Sequence, residues 1–427
     1  MTYTTTTAQI QEAREMDAID PLRSYRDLFH LPLRENGQAF IYLNGNSLGL
    51  QPKSVRKFVE AELLDWEKYG VEGHFKPVDP WVDYHELLTR STAAVAGALP
   101  SEVVVMNTLT VNLHLLMVSF YQPTAGRYKI LMESDAFPSD RYAIASQVKF
   151  HGYDPETAVV QLRPRQGEVL IRMEDLEKVL EEEGEQIALV LLGGVNYYTG
   201  QRFDIGQITR MAHAKGCRVG FDLAHAAGNI ALDLHRDGPD FAAWCTYKYL
   251  NSGPGNLGAC FIHERHAYNP ELPRFEGWWG HNKQTRFNMR QAFDPTPGAE
   301  GWMLSNVPVL PLAAMRASLE IFDEVGMPAL VEKSKKLTGY LESLLKGLEN
   351  ERIRIITPAH PDERGCQLSI QIQNGDKSIF RSIREKGVIA DWREPDVVRV
   401  APVPLYNTFE EVCRFVGILA MAIEETK

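Results

Sequence analysis

The stretch RVGFDLAHAAGNIALDLHRDGPDFAAWCTYKYLNSGPGNLGACFIHE, residues 218–264, decides the fold. It opens on RVGFD, largely apolar up to its closing aspartate, and ends on ACFIH, a second short apolar run after a glycine-rich turn. Runs of this length without polar alternation are strands covered on both faces, as in a parallel sheet flanked by helices. Working outward, the same signature marks residues 128–132, 158–162 and 187–192, beside 218–222 and 259–263, and residues 102–106 are also strand-like. Between them, residues 173–183 and 205–215 repeat apolar positions at three and four, which predicts amphipathic helices. Alternating strands and helices predict an α/β domain.

After Asn306 the pattern changes. Residues 308–324 and 327–348 read as long helices, 352–356, 366–372 and 397–401 as strands, and 379–386 and 409–425 as helices again. We therefore expect a large α/β domain over residues 51–310 and a smaller α+β domain over 311–427. An N-terminal segment, 1–50, contributes to the small domain, and the boundary falls inside a long helix near residue 310. A chain of 427 residues is long enough for two cores.

Composition narrows the function. The net charge of -11 argues against nucleic acid, whose phosphates demand a basic face. Five scattered cysteines without a C-x-x-C pair fit free thiols in a reducing compartment and give no metal-ligand spacing. No run approaches the roughly 20 apolar residues of a membrane span. Residues 1–9 are threonine-rich and polar, unlike a secretory signal, and read as a frayed terminus. A cytoplasmic enzyme is the expectation, with no metal and no membrane partner.

Four places carry candidate chemistry. Lys248 sits among Trp244, Cys245, Tyr247, Tyr249 and Leu250, ahead of Ser252-Gly253-Pro254-Gly255. A lysine forms an imine only after losing a proton, which desolvation promotes; a surface lysine lying along aromatics is the other reading. Asp222 ends a strand where open α/β sheets place ligands, with His225 three residues on. A carboxylate there can keep a pyridine nitrogen protonated, or simply cap a following helix, and His225 fits a core histidine equally. Asn107-Thr108-Leu109-Thr110 opens an apolar helix after a strand, a place for an anion or for a plain N-cap. Phe137, in Phe137-Pro138-Ser139-Asp140, is placed to stack on a flat ring or to join the core.

The set Asp222, His225 and Lys248 resembles fold-type-I pyridoxal-phosphate enzymes, in particular the cysteine-desulfurase and class V aminotransferase branch. Within it, the chain resembles the kynureninase family over roughly residues 40–410. The strings, in order, are YLNGNSLGLQP (42–52), MNTLTVNLHLLM (106–117), AFPSDRYAI (136–144), YYTGQ (197–201), DLAHAAGN (222–229), YKYLNSGPG (247–255), GWWGH (277–281), SNVP (305–308) and RVAPVPLYN (399–407).

The resemblance implies pyridoxal 5'-phosphate as cofactor and a large domain with a mixed, mostly parallel sheet. It implies Lys248 as the lysine joined to the cofactor, Asp222 on the pyridine nitrogen and His225 near the phenolic oxygen. Leu109 and Thr110 would take the phosphate and Phe137 the ring, with Ser139 and Asp140 beside it. Tyr247 would bond the phosphate and assist proton transfer at the substrate ketone, with His225 or His74 as the alternatives. Trp278 and Asn306 would reach the site from the partner subunit of a homodimer with shared active sites. Arg399 would hold the substrate α-carboxylate, although by itself it reads as a strand-edge surface arginine. His74, Ser305 and Asn306 resemble the branch preferring 3-hydroxykynurenine over kynurenine. The implied reaction is hydrolytic β,γ carbon–carbon cleavage to anthranilate or 3-hydroxyanthranilate plus L-alanine, in tryptophan catabolism and NAD biosynthesis. A cysteine desulfurase on the same fold would need a nucleophilic thiol, for which Cys366 is the candidate. A non-catalytic homologue would be expected to lack Lys248, Asp222 or Arg399.

Overall fold

The computed structural model describes residues 6–289 and 292–426. The strands in chain order are β1 (Ile41–Tyr42), β2 (Val103–Met106), β3 (Lys129–Glu133), β4 (Val159–Leu162), β5 (Ile187–Gly193), β6 (Arg218–Asp222) and β7 (Phe241–Cys245). They continue as β8 (Gly258–Ile262), β9 (Ile353–Ile355), β10 (Leu368–Ile372), β11 (Val388–Ile389), β12 (Asp391–Arg393) and β13 (Val397–Val400).

The large sheet has seven strands in the order β2-β8-β7-β6-β5-β3-β4. Strands β4, β3, β5, β6 and β7 run parallel, and β8 is antiparallel to both of its neighbours, β7 and β2. The sheet is thus mixed and mostly parallel. Every residue of β7 and β8 is buried, as the continuous apolar runs of β5, β6 and β8 required. The strand FAAWC is absent from the sequence-based expectations because two alanines give a weak strand signal. Burial between β6 and β8 holds it extended.

The chain leaves β3 outward to β4 and then returns to the other side of β3 to lay down β5, β6 and β7. The direction of winding therefore reverses between β3 and β5, and ligands of open α/β sheets bind in the crevice at such a reversal.

The smaller sheet is antiparallel, in the order β12-β13-β10-β9. Helices Met327–Gly347 and Phe409–Glu425 bury Leu337, Leu341, Val412, Phe415, Val416 and Leu419 in its core. Strand β1 pairs in parallel with β11, Ile41 opposite Val388, and so ties the N-terminal segment to this unit.

Two hydrophobic clusters divide the chain. The first includes Leu312, Leu319 and Phe322 of helix Val309–Val325 and reaches Leu330; the second takes up at Leu337. On core membership we propose that the small domain starts within helix Met327–Gly347 rather than at residue 311, because the preceding helix packs on the large core. The N-terminal segment serves both cores, with Ala13 and Leu43 in one and Leu22, Phe29 and Leu50 in the other.

Of the stretch read as a frayed terminus, residues 1–5 lie outside the described residues. Thr6 to Gln9 is not frayed. Thr6 Oγ1 accepts the Gln9 N–H at 3.2 Å and the Gln9 side chain accepts the Thr6 N–H at 2.9 Å, a capping box that starts helix Thr7–Ala18. No described helix is long and apolar enough to cross a membrane.

Candidate functional site

The carboxyl ends of β3, β5 and β6 open into a cavity of about 410 Å³. Its walls carry Leu109, Thr110, Phe137, Ser139, Asp140, Asp222, His225, Tyr247, Lys248 and Arg399, ten of the residues picked out in the sequence. Apart from Arg399, which comes from the small sheet, the elements that carry them converge here because each ends, or begins, at the same edge of the large sheet.

Asp222 closes β6 and is buried. Its Oδ1 accepts the Ala224 N–H at 2.7 Å, so the carboxylate turns the chain locally without capping a regular helix. Asp140, in the first turn of helix Pro138–Phe150, hydrogen-bonds the Asp222 carboxyl. Burial raises both acids; the proximity of Asp222 raises Asp140 further, while the Lys248 ammonium pulls Asp222 back. A hydrogen bond between two carboxyls needs one proton, and Asp140 keeps it.

Lys248 lies in the loop after β7. The Gly49 N–H donates to Tyr247 O at 2.8 Å, and Thr246 Oγ1 and Ser252 Oγ are 2.6 Å apart across the glycine-rich turn. A Cβ on Gly49 would fall 2.3 Å from Lys248 O, so only glycine permits this approach. Lys248 is therefore no surface lysine. Its Nζ is 2.9 Å from His225 Nε2 and 5.9 Å from the centre of the Phe137 ring. Burial and the facing Lys248 push His225 well below the ordinary imidazole range. The neutral ring then accepts the ammonium proton at Nε2 and carries its own proton on Nδ1, a buried atom without a partner. Tyr247, partly buried, is raised above the usual phenol range by burial, with the Cys245 thiol adding to it.

Helix Leu109–Phe120 presents its first turn to the cavity. Its N-cap, Thr108, makes no side-chain cap, so the first N–H groups face outward with the Thr110 and Ser139 hydroxyls, themselves 2.8 Å apart. Opposite stands Arg399 on β13, only 1% exposed, its guanidinium on Asp391 and on Tyr197 O. Burial lowers it to about 10. The reading as a surface arginine fails because β13 is an interior strand, paired on both sides.

Four expected residues lie elsewhere, and two of them, Trp278 and Asn306, are expected in the site of a partner subunit rather than in this one. Ser305 and Asn306 are exposed, and Trp278 is 47% exposed, its indole N–H donating to Arg286 O at 3.2 Å. His74 is half-buried against Trp81, with ring centres 5.5 Å apart. None of the four lines the cavity of its own chain.

Sequence reading missed Asn46, Ser47, Glu133, Tyr197 and Arg393 on the cavity wall. Glu133 ends β3 as Asp222 ends β6, so the same strand-end rule would have found it. It is buried, accepts the Gly193 N–H at 3.1 Å, and is pushed up to about 7 by burial, with Asp222 contributing. Asn46, Ser47 and Tyr197 lie in quoted strings without an assigned role. The rival nucleophile Cys366 is buried and pushed up to about 12, against Tyr249, which leaves the thiol protonated.

A family model described as the kynureninase C-terminal domain matches residues 330–419. Kynureninase of Myxococcus xanthus is 58% identical over 95% of this chain and 96% of its own length. That of Koribacter versatilis is 57% identical over 95% of each. Among solved structures, a cysteine desulfurase from Escherichia coli superposes with a TM-score of 0.75 at 17% identity, over 95% of this chain and 98% of its own. A C-DES mutant with glycine covalently linked to its PLP cofactor gives 0.74, also at 17% identity, over 89% and 96%. The architecture is that of the fold-type-I pyridoxal-phosphate enzymes. With more than half of its residues shared with kynureninases over nearly the full length of both chains, this chain belongs to the kynureninase family.

Proposed function

We propose that the protein is a kynureninase that hydrolyses the β,γ carbon–carbon bond of L-kynurenine and L-3-hydroxykynurenine, releasing L-alanine and anthranilate or 3-hydroxyanthranilate. The observation that carries the reading is the meeting of Lys248, His225 and the Asp140–Asp222 pair in one cavity, with a buried arginine across from them.

These residues fit pyridoxal phosphate. The uncapped N-terminus of helix Leu109–Phe120 suits a phosphate dianion, a shared-proton acid pair suits a pyridine nitrogen, and the unpartnered His225 Nδ1 suits an acceptor oxygen. When bound, the cofactor supplies an aldehyde for imine chemistry and a ring that accepts electrons from the substrate's α-carbon.

The chain's own groups do the rest. Leu109, Thr110, Ser139 and Tyr247 would hold the phosphate, Phe137 would cover the ring, and Asp222 with Asp140 would keep a proton at its nitrogen. Arg399 fixes the substrate carboxylate. Lys248 would be the base that takes the substrate's α-proton. The Tyr247 hydroxyl handles the proton at the ketone where water adds.

A second surface, outside the cavity, supports the finer assignments. His74, Phe75, Phe287 and Trp278 form a chain of ring contacts, with Phe75 and Phe287 centres 6.0 Å apart and Phe287 and Trp278 centres 5.6 Å apart. We assign this exposed aromatic patch, with Ser305 and Asn306, to the partner site of a homodimer, where it favours 3-hydroxykynurenine. The five cysteines are all free and buried, which supports a reducing compartment such as the cytoplasm, and a place in tryptophan catabolism toward NAD biosynthesis rests on the kynureninase reading alone.

The experiment is Lys248→Ala. It should abolish release of alanine and the visible imine absorbance of the purified protein; retention of both would overturn the assignment. Comparing turnover of the two substrates in wild type and in Asn306→Ala tests the preference, and sedimentation tests the dimer.

A further inference from the structure

The arginine end of the cavity holds two guanidinium groups and one carboxylate. Asp391 on β12 is the cross-strand partner of Arg399 on β13. Arg393 stands two residues further along β12, on the same face of the strand as Asp391. One oxygen, Asp391 Oδ2, therefore accepts from Arg399 and from Arg393 Nε at 3.1 Å, with Arg393 Nη2 at 2.9 Å. Both guanidinium carbons sit over the Tyr197 ring, 5.7 Å from its centre for Arg393 and 5.8 Å for Arg399. The two arginines and Tyr197 line the cavity, and Asp391 lies behind them.

The charges do not balance. Two guanidinium groups share one carboxylate, and the Nε of Arg399 is buried without a partner. A single positive charge is left facing the cavity, opposite Lys248. Arg393 is less buried than Arg399, with 34% of its side chain exposed against 1%. Its position on the wall is that of a group that meets a ligand, whereas Arg399 is fixed from behind.

We propose that Arg393 is a substrate-positioning residue. Arg393 and Arg399, set in register by Asp391 and by the Tyr197 face, together take one carboxylate, and this monoanion balances the arginine end of the cavity. The inference rests on the reading that Arg399 holds the substrate α-carboxylate. It adds that one arginine does not suffice, because Asp391 already draws on Arg399. Planar forks paired with a carboxylate are sensitive to geometry, so a lysine at position 393 replaces the charge but not the arrangement.

The test uses the holoenzyme. Turnover of kynurenine is measured together with binding of L-alanine and of L-alaninamide, which lacks the carboxylate, followed by the visible spectrum. Arg393→Gln should raise KM about tenfold or more with kcat changed less than threefold, and should weaken L-alanine by the same factor while leaving L-alaninamide unchanged. Arg393→Lys should fall between wild type and Arg393→Gln, and it carries the test if the glutamine variant does not fold. Equal binding of L-alanine by wild type and Arg393→Lys or Arg393→Gln, with Arg399→Gln abolishing it, would overturn the role of Arg393 alone. Unchanged L-alanine binding in Arg399→Gln would overturn the reading of Arg399, and this inference with it.

Discussion

Glu133→Gln tests whether the acid at the winding reversal titrates where its burial places it. Glu133 stands at about 7 against 4.5 for a free glutamate, raised by burial first and then by Asp222 and Asp135, and opposed by the Gly193 N–H. A carboxyl raised in the folded state binds its proton more tightly folded than unfolded. The folded protein is therefore favoured at low pH and loses that advantage as pH climbs from about 4.5 to about 7. The gap between these values amounts to about 3 kcal/mol, charged in full above pH 8. Glutamine keeps the shape, and its Oε1 still accepts from Gly193, but it never ionises. On protein stripped of cofactor, the thermal midpoint of wild type should fall relative to Glu133→Gln between pH 5 and pH 8.5. A difference of about 3 °C is expected for that free energy in a chain of 427 residues. Parallel curves for the two proteins across this range would refute the reasoning, since the buried acid would then contribute nothing to the pH dependence.

Two further perturbations separate packing from charge. Gly49→Ala places a Cβ 2.2 Å from Asn251 Oδ1 and 2.3 Å from Lys248 O, so relief requires moving the lysine loop. It should lose about 1–3 kcal/mol of stability and lower kcat with it, measured by denaturant melts and turnover. Lys333 Nζ and Asp20 Oδ2 form a pair at 2.7 Å with both side chains almost wholly buried, between the N-terminal segment and helix Met327–Gly347. Lys333→Met should destabilise by about 3–5 kcal/mol because it strands a buried carboxylate, and adding Asp20→Leu should recover most of that, as read from the thermal midpoint.

How much of this fold was visible in the sequence depended on how each element is stabilised. Strands β5, β6 and β8 are apolar on successive residues because both of their faces are covered, and that pattern survives without any knowledge of the partners. Helix Phe409–Glu425 carries its own start signal, with the Glu411 N–H on Thr408 Oγ1 at 3.1 Å, and its expected limits agree with the structure. Strand β7 had no such mark: its alanines are extended because β6 and β8 bracket them. Helix Thr7–Ala18 hid behind a polar composition, yet its capping box was there to be read in Thr6 and Gln9. Strand β12 is three residues long and exists through its ladder to β13, so no window of sequence could display it.

The same distinction governs the site. Asp222, Lys248 and Leu109 were legible because each chemistry has a local address: a strand end, an aromatic loop before a glycine turn, a strand-to-helix junction. Glu133 has the first of these addresses, at the end of β3. Arg393 has none. Its significance comes from Asp391 two residues before it, from Arg399 across the ladder, and from Tyr197, which arrives from the loop after β5. Trp278 and Asn306, which the resemblance assigns to a partner subunit's site, do not line the cavity of their own chain. A residue that acts through its own backbone context can be found by pattern. One that depends on a charge shared between strands becomes visible only when the strands are paired.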